Sequence, residues 1–328
     1  YDEYETLLKN ALNKPGDRTI DYVRLEDYAE YAAKTTKRFG KERIAVIYAQ
    51  GEILYGEGND EFIGQGIIKK ALKKARENSK VKAIVLRVNS PGGSALASEL
   101  IWREIELTKA VKPVIVSMGN LAASGGYYIA CGAEKIFADP TTITGSIGVF
   151  GTLPNFKGLT DKIGISAEQV TTNRQSMGYS VFEPMSEEFR DFATESVTHI
   201  YDMFLERVAK GRNMTVEAVH AIAQGRVWSG ARAQELGLVD EIGGLDDAIA
   251  YAAALSDLET YRITSYPIYE TNVEEVFETV LGIPMLKSSK ELMENEIGSE
   301  AYGILKKVQY VMQQRGIQAR LPFELNIK

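Results

Sequence analysis

Two glycine-rich loops, each following an apolar segment of strand length, constrain this chain more than any other feature. Residues 81–88 form the first apolar segment and are followed by Ser-Pro-Gly-Gly at 90–93. Residues 113–118 form the second and are followed by a loop at 119–126 that ends in Ser-Gly-Gly. The stretch at 94–110 between them has helical spacing, so the order predicts βαβ units and a mostly parallel sheet. Because the carboxyl ends of parallel strands meet at one edge, we expect both loops to lie side by side there.

The composition excludes several classes of protein. With 328 residues, 45% of them hydrophobic, the chain can form one large domain or two small ones. A net charge of −7, with scattered basic residues, argues against nucleic-acid binding. Cys131 is the single cysteine, which excludes an intrachain disulfide and a cysteine-based metal cluster.

The sequence contains no obvious membrane or export signal. No apolar run reaches the roughly eighteen residues that a spanning helix needs, and no segment has the composition of a signal peptide. The chain begins at Tyr1 rather than at a methionine. We therefore expect a processed product or a piece of a longer protein, with any anchor upstream.

Ser124 is the candidate nucleophile. Small residues and a double glycine surround it, so it can stand at a sharp strand-to-helix turn with the earlier glycine loop supplying an anion hole. A helix N-cap at a tight turn is the alternative interpretation of the same residues. His199 and His220 lie in helical segments rather than in glycine-rich loops, which disfavours a Ser-His-Asp triad. A Ser-Lys dyad, in which a buried neutral lysine takes the serine proton, remains.

Three motifs occur in order at residues 88–94 (Val-Asn-Ser-Pro-Gly-Gly-Ser), 122–127 (Ala-Ala-Ser-Gly-Gly-Tyr) and 142–149 (Thr-Ile-Thr-Gly-Ser-Ile-Gly-Val). Together they resemble the signal peptide peptidase A family, the bacterial membrane-anchored Ser-Lys peptidases of the ClpP/crotonase superfamily. The similarity extends over residues 43–255. It implies an α/β fold in which ββα turns stack into a superhelix with a mostly parallel sheet and additional terminal helices.

The resemblance assigns catalytic roles to the matching residues. Ser124 matches the nucleophile, and the backbone N–H groups of Gly93 and Ser124 would form the oxyanion hole, with Gly92 shaping the turn. Ser146 matches the serine whose hydroxyl orients the general-base lysine. A serine in an ordinary β-turn is the alternative interpretation of Ser146.

Substrate binding is assigned to Gly125 and Tyr127, although Tyr127 could simply pack in the core. The family binds extended apolar peptides as added strands, and residues 153–159 could form one wall of the groove. The implied partner is therefore an apolar peptide, such as a cleaved signal peptide.

The general-base lysine is missing from its expected place. Short members of the family carry it in a region that here reads Thr-Thr-Asn-Arg-Gln-Ser-Met at 171–177. Arg174 cannot replace it, because a guanidinium stays protonated. Long members are tandem duplications in which the first half supplies the lysine and the second half the serine. This chain resembles a second half, which alone should be nearly inactive and whose partner would be the N-terminal half of the same protein.

We divide the chain into a helical linker or arm at residues 1–40, a peptidase domain at 41–256 and a C-terminal extension at 257–328 that packs or oligomerises. The resemblance implies a homo-oligomer shaped as a tetramer-like ring or dome. It also implies a catalytic part on the periplasmic side of a bacterial inner membrane, with this chain itself soluble. It implies no metal, no cofactor and no nucleic acid.

Two other functions stay open. A crotonase-type acyl-CoA lyase or isomerase would share the oxyanion geometry but would use carboxylates as acid and base, and neither glycine loop contains a glutamate. A degenerate peptidase half could serve as a binding or assembly module, without catalysis.

Overall fold

The computed structural model describes residues 2–13, 20, 22–25, 27–28, 31, 40–170, 172–173, 178–267 and 318–320. The chain divides into two compact units, Tyr1–Gly40 and Lys41–Lys328. The first unit contains helix α1 (Asp2–Ala11), in which the ammonium group of Lys9 pairs with Glu5 one turn earlier. The elements that follow belong to the second unit.

A mostly parallel sheet forms the centre of the second unit. Its strands in the described part of the chain are β1 (Arg43–Gln50), β4 (Val81–Ser90), β6 (Val114–Ala123), β7 (Lys135–Ala138), β8 (Ile143–Gly145), β9 (Val227–Ser229), β10 (Glu241–Ile242) and β11 (Arg262–Tyr266). The order β10-β7-β6-β4-β1-β11 is parallel throughout. β8 pairs in parallel with the end of β6, and β9 runs antiparallel to β8. The predicted α/β architecture is confirmed.

The central strands form because their apolar side chains are buried on both faces of the sheet. In β1, Ala45 and Ile47 belong to one core cluster, whereas Ile44 and Val46 belong to the other. This alternation follows from the two-residue period of a strand. Parallel strands covered on both faces are nearly continuous in hydrophobic residues, as residues 43–48 are.

A second, smaller sheet begins where β1 and β4 end. It contains β2 (Glu52–Leu54), β3 (Phe62–Gly64), β5 (Gly92–Ser94) and β12 (Gln318–Arg320), in the order β12-β5-β2-β3. β2 runs parallel to β3 and β5, and β12 runs antiparallel to β5. A long central strand is thus followed by a short strand and then a helix, which is the predicted ββα repeat.

Helices cover both faces of the central sheet. The helices of the second unit in the described residues are α2 (Gln65–Glu77), α3 (Ala95–Lys109), α4 (Gly125–Ala130), α5 (Lys157–Lys162), α6 (Glu187–Arg212), α7 (Val216–Ile222), α8 (Gly230–Glu235) and α9 (Leu245–Leu255). The helical spacing of residues 65–76 predicts an inward face made of Ile68, Ala71, Leu72 and Ala75, and α2 buries these four residues. For α3 the helical spacing predicts an inward face made of Ala97, Leu100, Ile101, Ile105 and Thr108. This is wrong at Leu100, which is 43% exposed, whereas the other four are buried. Adjacent helical residues point about 100° apart, and the buried face of α3 is centred near Ile101 and Ile105, which leaves Leu100 at its margin.

The central sheet continues beyond residue 256, where the predicted peptidase domain ends. β11 pairs with β1 from Arg262 to Tyr266 and forms one edge of the sheet. β12 joins the second sheet. The remainder of the predicted extension, at 268–317 and 321–328, lies outside the described residues.

We expect Ile101→Ala to lower the free energy of unfolding by about 2–5 kcal/mol, because it removes a buried side chain and leaves a cavity. Leu100→Ala on the same helix is the matched control and should cost less than about 1 kcal/mol. Urea denaturation followed by circular dichroism measures both values. Equal losses in the two variants would contradict the packing of α3.

Candidate active site

Ser124 lies at the turn between β6 and α4. Its backbone has φ of 54° and ψ of −117°, a conformation that residues with a Cβ rarely adopt. The glycines after it are required by space, since a Cβ on Gly125 would lie 2.7 Å from the hydroxyl oxygen of Ser98. A Cβ on Gly126 would lie 2.7 Å from the carbonyl oxygen of Ser90. The small residues around Ser124 therefore permit the sharp strand-to-helix turn that the sequence predicts.

The hydroxyl of Ser124 does not cap the helix. The residue stands at the N-cap position of α4, yet its side chain makes no capping hydrogen bond. Its Oγ lies 3.5 Å from the carbonyl oxygen of Gly148, at the long limit of a hydrogen bond. This geometry argues against the N-cap interpretation, and the contact to Gly148 is at most a weak hydrogen bond.

The backbone N–H of Ser124 is not available to an oxyanion, which corrects the predicted oxyanion hole. It donates to the carbonyl oxygen of Gly145 at 2.8 Å, because β6 pairs with β8 up to this point. No side-chain pattern encodes the direction of a backbone N–H, so sequence reasoning missed this bond. The next amide along the chain belongs to Gly125, at the first position of α4.

The two glycine-rich loops meet at the backbone level. A Cβ built on Gly92 would lie only 2.7 Å from the backbone nitrogen of Gly125. Gly92 and Gly93 have φ of 98° and 152°, which favour glycine. The N–H of Gly92 donates to the hydroxyl of Ser90 at 3.1 Å, which holds the turn. The shared sheet edge thus brings Gly92 beside the strand-to-helix turn at Ser124 and Gly125, which we call the elbow, as the sequence led us to expect.

Ser146 lies on the wall of a cavity next to Ser124. Its backbone also has positive φ, 48°, and its N–H donates to the carbonyl oxygen of Arg226 at 2.7 Å. The cavity has a volume of about 450 Å³. Its lining residues are Ser146, Gly148, Val149, Phe150, Val197, Thr198, Tyr201, Gln224 and Gly225. Since the carbonyl of Gly148 also accepts from Ser124, one loop connects Ser124 with Ser146.

Tyr127 does not line a substrate pocket, which corrects its assignment to substrate binding. The side chain is 0% exposed, and its hydroxyl donates to the carbonyl oxygen of Leu238 at 2.8 Å. Burial raises the pKa of this phenol far above its ordinary value. Tyr127 is therefore part of the core that supports α4, and the sequence could not show its partner because Leu238 is remote in the chain.

No lysine contacts Ser124 or Ser146 in the part of the chain that the structure describes. The ammonium groups of Lys109 and Lys112 donate to backbone carbonyls elsewhere, and Lys210 pairs with Glu106. Arg174 and its neighbours at 175–177 lie outside the described residues.

The two histidines are also away from Ser124. His199 is exposed on α6, and His220 is exposed on α7. The Nδ1 atom of His220 lies 3.0 Å from the hydroxyl of Tyr201, and its Nε2 lies 3.0 Å from the amide of Gln224. The described residues therefore contain no Ser-His pair at the elbow.

Membrane-spanning helices and metal clusters are both absent from the described residues. No helix there is long and apolar enough to cross a membrane. No group of three or more His, Cys, Asp or Glu side chains in that part of the chain could hold a metal ion.

Comparison with known families and proteins shows which family the chain belongs to. Residues 106–259 match the model of Peptidase family S49. A putative protease of Methanocaldococcus jannaschii is 34% identical over 242 residues, which cover 71% of this chain and 76% of that protein. The chain belongs to peptidase family S49. The predicted resemblance to signal peptide peptidase A is thereby confirmed at the level of the family.

Other relatives of this S49 chain are longer. Protease 4 of Haemophilus influenzae is 42% identical over 250 residues, 76% of this chain and 40% of that protein. The chloroplastic serine protease SPPA of Arabidopsis thaliana is 34% identical over 98% of this chain and 47% of that protein. The chain spans less than half the length of these two relatives. Among solved structures, a mutant of ClpP1 from Listeria monocytogenes matches 62% of this chain and 94% of that one, with a TM-score of 0.42 and 18% identity.

The positive φ of Ser124 predicts how two substitutions at this residue will change the stability of the protein. A positive φ at a residue with a Cβ costs about 1–3 kcal/mol in the folded state. Replacement of another residue by glycine lowers the free energy of unfolding by about 0.4–1 kcal/mol, because the unfolded chain gains conformational freedom. We expect the free energy of unfolding of Ser124→Gly to exceed that of Ser124→Ala by about 1 kcal/mol. Urea denaturation measures both values. Equal stability of the two variants would show that the turn is relaxed.

Cys131 should be chemically silent in the folded protein. Its thiol is buried, and burial raises its pKa to about 12, so the reactive thiolate is scarce at neutral pH. We expect Ellman's reagent to modify it at least about a hundredfold more slowly in buffer than in about 6 M guanidinium. Rapid modification of the native protein would contradict the burial of Cys131 at the end of α4.

Proposed function

We propose that this chain carries the nucleophile and the oxyanion hole of a serine endopeptidase that degrades apolar peptides, such as cleaved signal peptides. One observation carries the proposal: Ser124 stands at a strained elbow, with the backbones of Gly92 and Gly125 packed together beside it. Membership of a peptidase family supports it. The activity of the longer relatives is thus assigned to this site.

In this mechanism Ser124 Oγ attacks the carbonyl carbon of the scissile bond while its proton passes to a base. The carbonyl oxygen becomes an oxyanion, and we assign its donors as the N–H groups of Gly93 and Gly125. The C–N bond then breaks, and the base returns the proton to the leaving amine. Water hydrolyses the resulting ester through a second tetrahedral intermediate, with the base again taking and returning a proton.

The base in this proposal is a lysine from the N-terminal half of a longer protein. Its amine would enter the cavity beside Ser146, whose hydroxyl would hold it. Val149, Phe150 and Val197 line that cavity. Apolar surroundings lower the pKa of a lysine, so that the neutral form, which accepts a proton, is populated near pH 7. The greater length of the relatives supports a second half.

We also propose that the enzyme acts at the periplasmic face of a bacterial inner membrane as a ring-like or dome-like homo-oligomer. The resemblance to membrane-anchored peptidases supports the location, together with the relatives named Protease 4 from Haemophilus influenzae and Salmonella typhi. An oligomer would let several sites enclose one chamber for unfolded peptides.

The test is hydrolysis of a fluorogenic apolar peptide by this chain alone and together with the proposed N-terminal half. We expect the chain alone to be nearly inactive and the combination to be active. Ser124→Ala should lower kcat/KM of the combination by at least about 10³-fold. Ser256→Ala, at the end of α9 and remote from the elbow, is the matched control and should leave activity unchanged.

The outcomes separate the parts of the proposal. Activity of the chain alone that is lost in Ser124→Ala would show that the base lies within this chain or a second copy of it. Activity of the combination that survives Ser124→Ala would disprove the nucleophile. Inactivity of every mixture would favour the degenerate binding module.

A further inference from the structure

The strand β6 has a bulge just before the elbow. It pairs regularly with β4 as far as Val88 and Met118, and the next pair is Ser90 and Ala122. In this interval β4 therefore has one residue, Asn89, where β6 has three. Two extra residues add about 6–7 Å of strand, and a bulge of this kind changes where the residues after it lie.

The bulge sets the level of Ser124 relative to the first glycine loop. If the register before the bulge continued, Ser124 would lie level with Ser94. The register after the bulge brings it level with Gly92 instead. The close approach of Gly92 to the backbone nitrogen of Gly125 agrees with this second register. Without the two extra residues, Ser124 would lie past Gly93, whose N–H is assigned to the oxyanion.

Side chains of β4 occupy the gap that the bulge leaves in the backbone pairing. The amide oxygen of Asn89 accepts from the backbone N–H of Leu121 at 3.2 Å. The Nη1 atom of Arg87 donates to the carbonyl oxygen of Met118 at 2.6 Å. A Cβ on Gly119 would lie 2.9 Å from the amide oxygen of Asn89, so the glycine leaves the space that this side chain needs. Both ends of the bulge are thus held by side chains of the neighbouring strand.

The bulge is also the place where β6 changes its other neighbour. Before the bulge β6 pairs with β7, and from Leu121 to Ala123 it pairs with β8. The carbonyl oxygen of Gly119 accepts from the hydroxyl of Thr142 at 2.8 Å, just before β8 begins. The last residues of β6, and Ser124 after them, therefore depend on where the bulge is held.

We propose that Asn89 is a positioning residue, which holds the bulge through its bond to Leu121 and so brings Ser124 level with Gly92. Among the described residues, the Asn89 side chain makes no hydrogen bond to Ser124, so it acts through the backbone of β6. That a correctly placed Ser124 attacks a peptide rests on the proposed function. The control of its position by Asn89 does not, because it depends only on strand register.

The first test is native-state hydrogen exchange of this chain, which needs no catalysis. Asn89→Leu keeps roughly the size of the side chain and removes the acceptor, whereas Asn89→Asp keeps the acceptor. NMR measures exchange at the amide of Ser124, whose own acceptor, the carbonyl of Gly145, is unchanged in both variants. We expect exchange there to be at least about tenfold faster in Asn89→Leu and unchanged in Asn89→Asp.

Asn78→Leu is the matched control for this measurement. The amide oxygen of Asn78 also accepts a backbone N–H, that of Lys80 at 3.0 Å, but at the opposite end of β4 from the elbow. Loss of this bond should leave exchange at Ser124 unchanged. The proposal is overturned if Asn89→Leu exchanges at Ser124 as the original chain does, or if Asn78→Leu accelerates exchange there equally.

The second test is hydrolysis of the fluorogenic peptide together with the proposed N-terminal half. We expect kcat/KM to fall at least about tenfold in Asn89→Leu and to stay within about threefold of the original in Asn89→Asp, because a displacement of about 1 Å slows a reaction steeply. Equal activity of these two variants would contradict the positioning role. Inactivity of every mixture would remove the proposed catalysis, while the exchange rates would still decide the role of Asn89.

A second variant covers the case in which Asn89→Leu does not fold. Gly119→Ala keeps Asn89 but places a methyl group against its amide oxygen. It should also accelerate exchange at Ser124 by at least about tenfold, and an unchanged rate would count against the proposal. If circular dichroism shows that both variants unfold, the bulge is needed for the fold as a whole and the proposal is wrong.

Discussion

The close contact of two backbones, at Gly92 and at Gly125, is the constraint on which the site depends. A Cβ on Gly92 would overlap the nitrogen of Gly125, so the first glycine loop can lie against the elbow only without side chains there. The contact brings two turns from neighbouring parallel strands to one point. Ser124 lies in the second of these turns, in a conformation that costs about 1–3 kcal/mol. The parallel pairing of the buried strands β4 and β6, which extends to Ser90 and Ala122, brings the two turns together.

Backbone hydrogen bonds transmit this constraint to the third motif. Ser124 N–H binds the carbonyl of Gly145, Ser146 N–H binds the carbonyl of Arg226, and Ser124 Oγ approaches the carbonyl of Gly148. β8 and the loop after it are therefore hydrogen-bonded to the turn at Ser124. In the proposed function this unit would keep the Ser124 and Ser146 hydroxyls at a fixed separation, which proton transfer from Ser124 to a shared base requires.

Most of the fold could be predicted because it depends on local patterns. Apolar runs and glycine loops indicated the central strands, and helical spacing indicated the buried face of α2. Leu100 and Tyr127 could not be placed in this way, since the facing of one residue and the partner of a buried phenol depend on distant elements. The direction of the Ser124 amide also has no side-chain signal. The pairing of β12 with β5 joins segments far apart in sequence, and three residues are too few to carry a recognisable strand pattern.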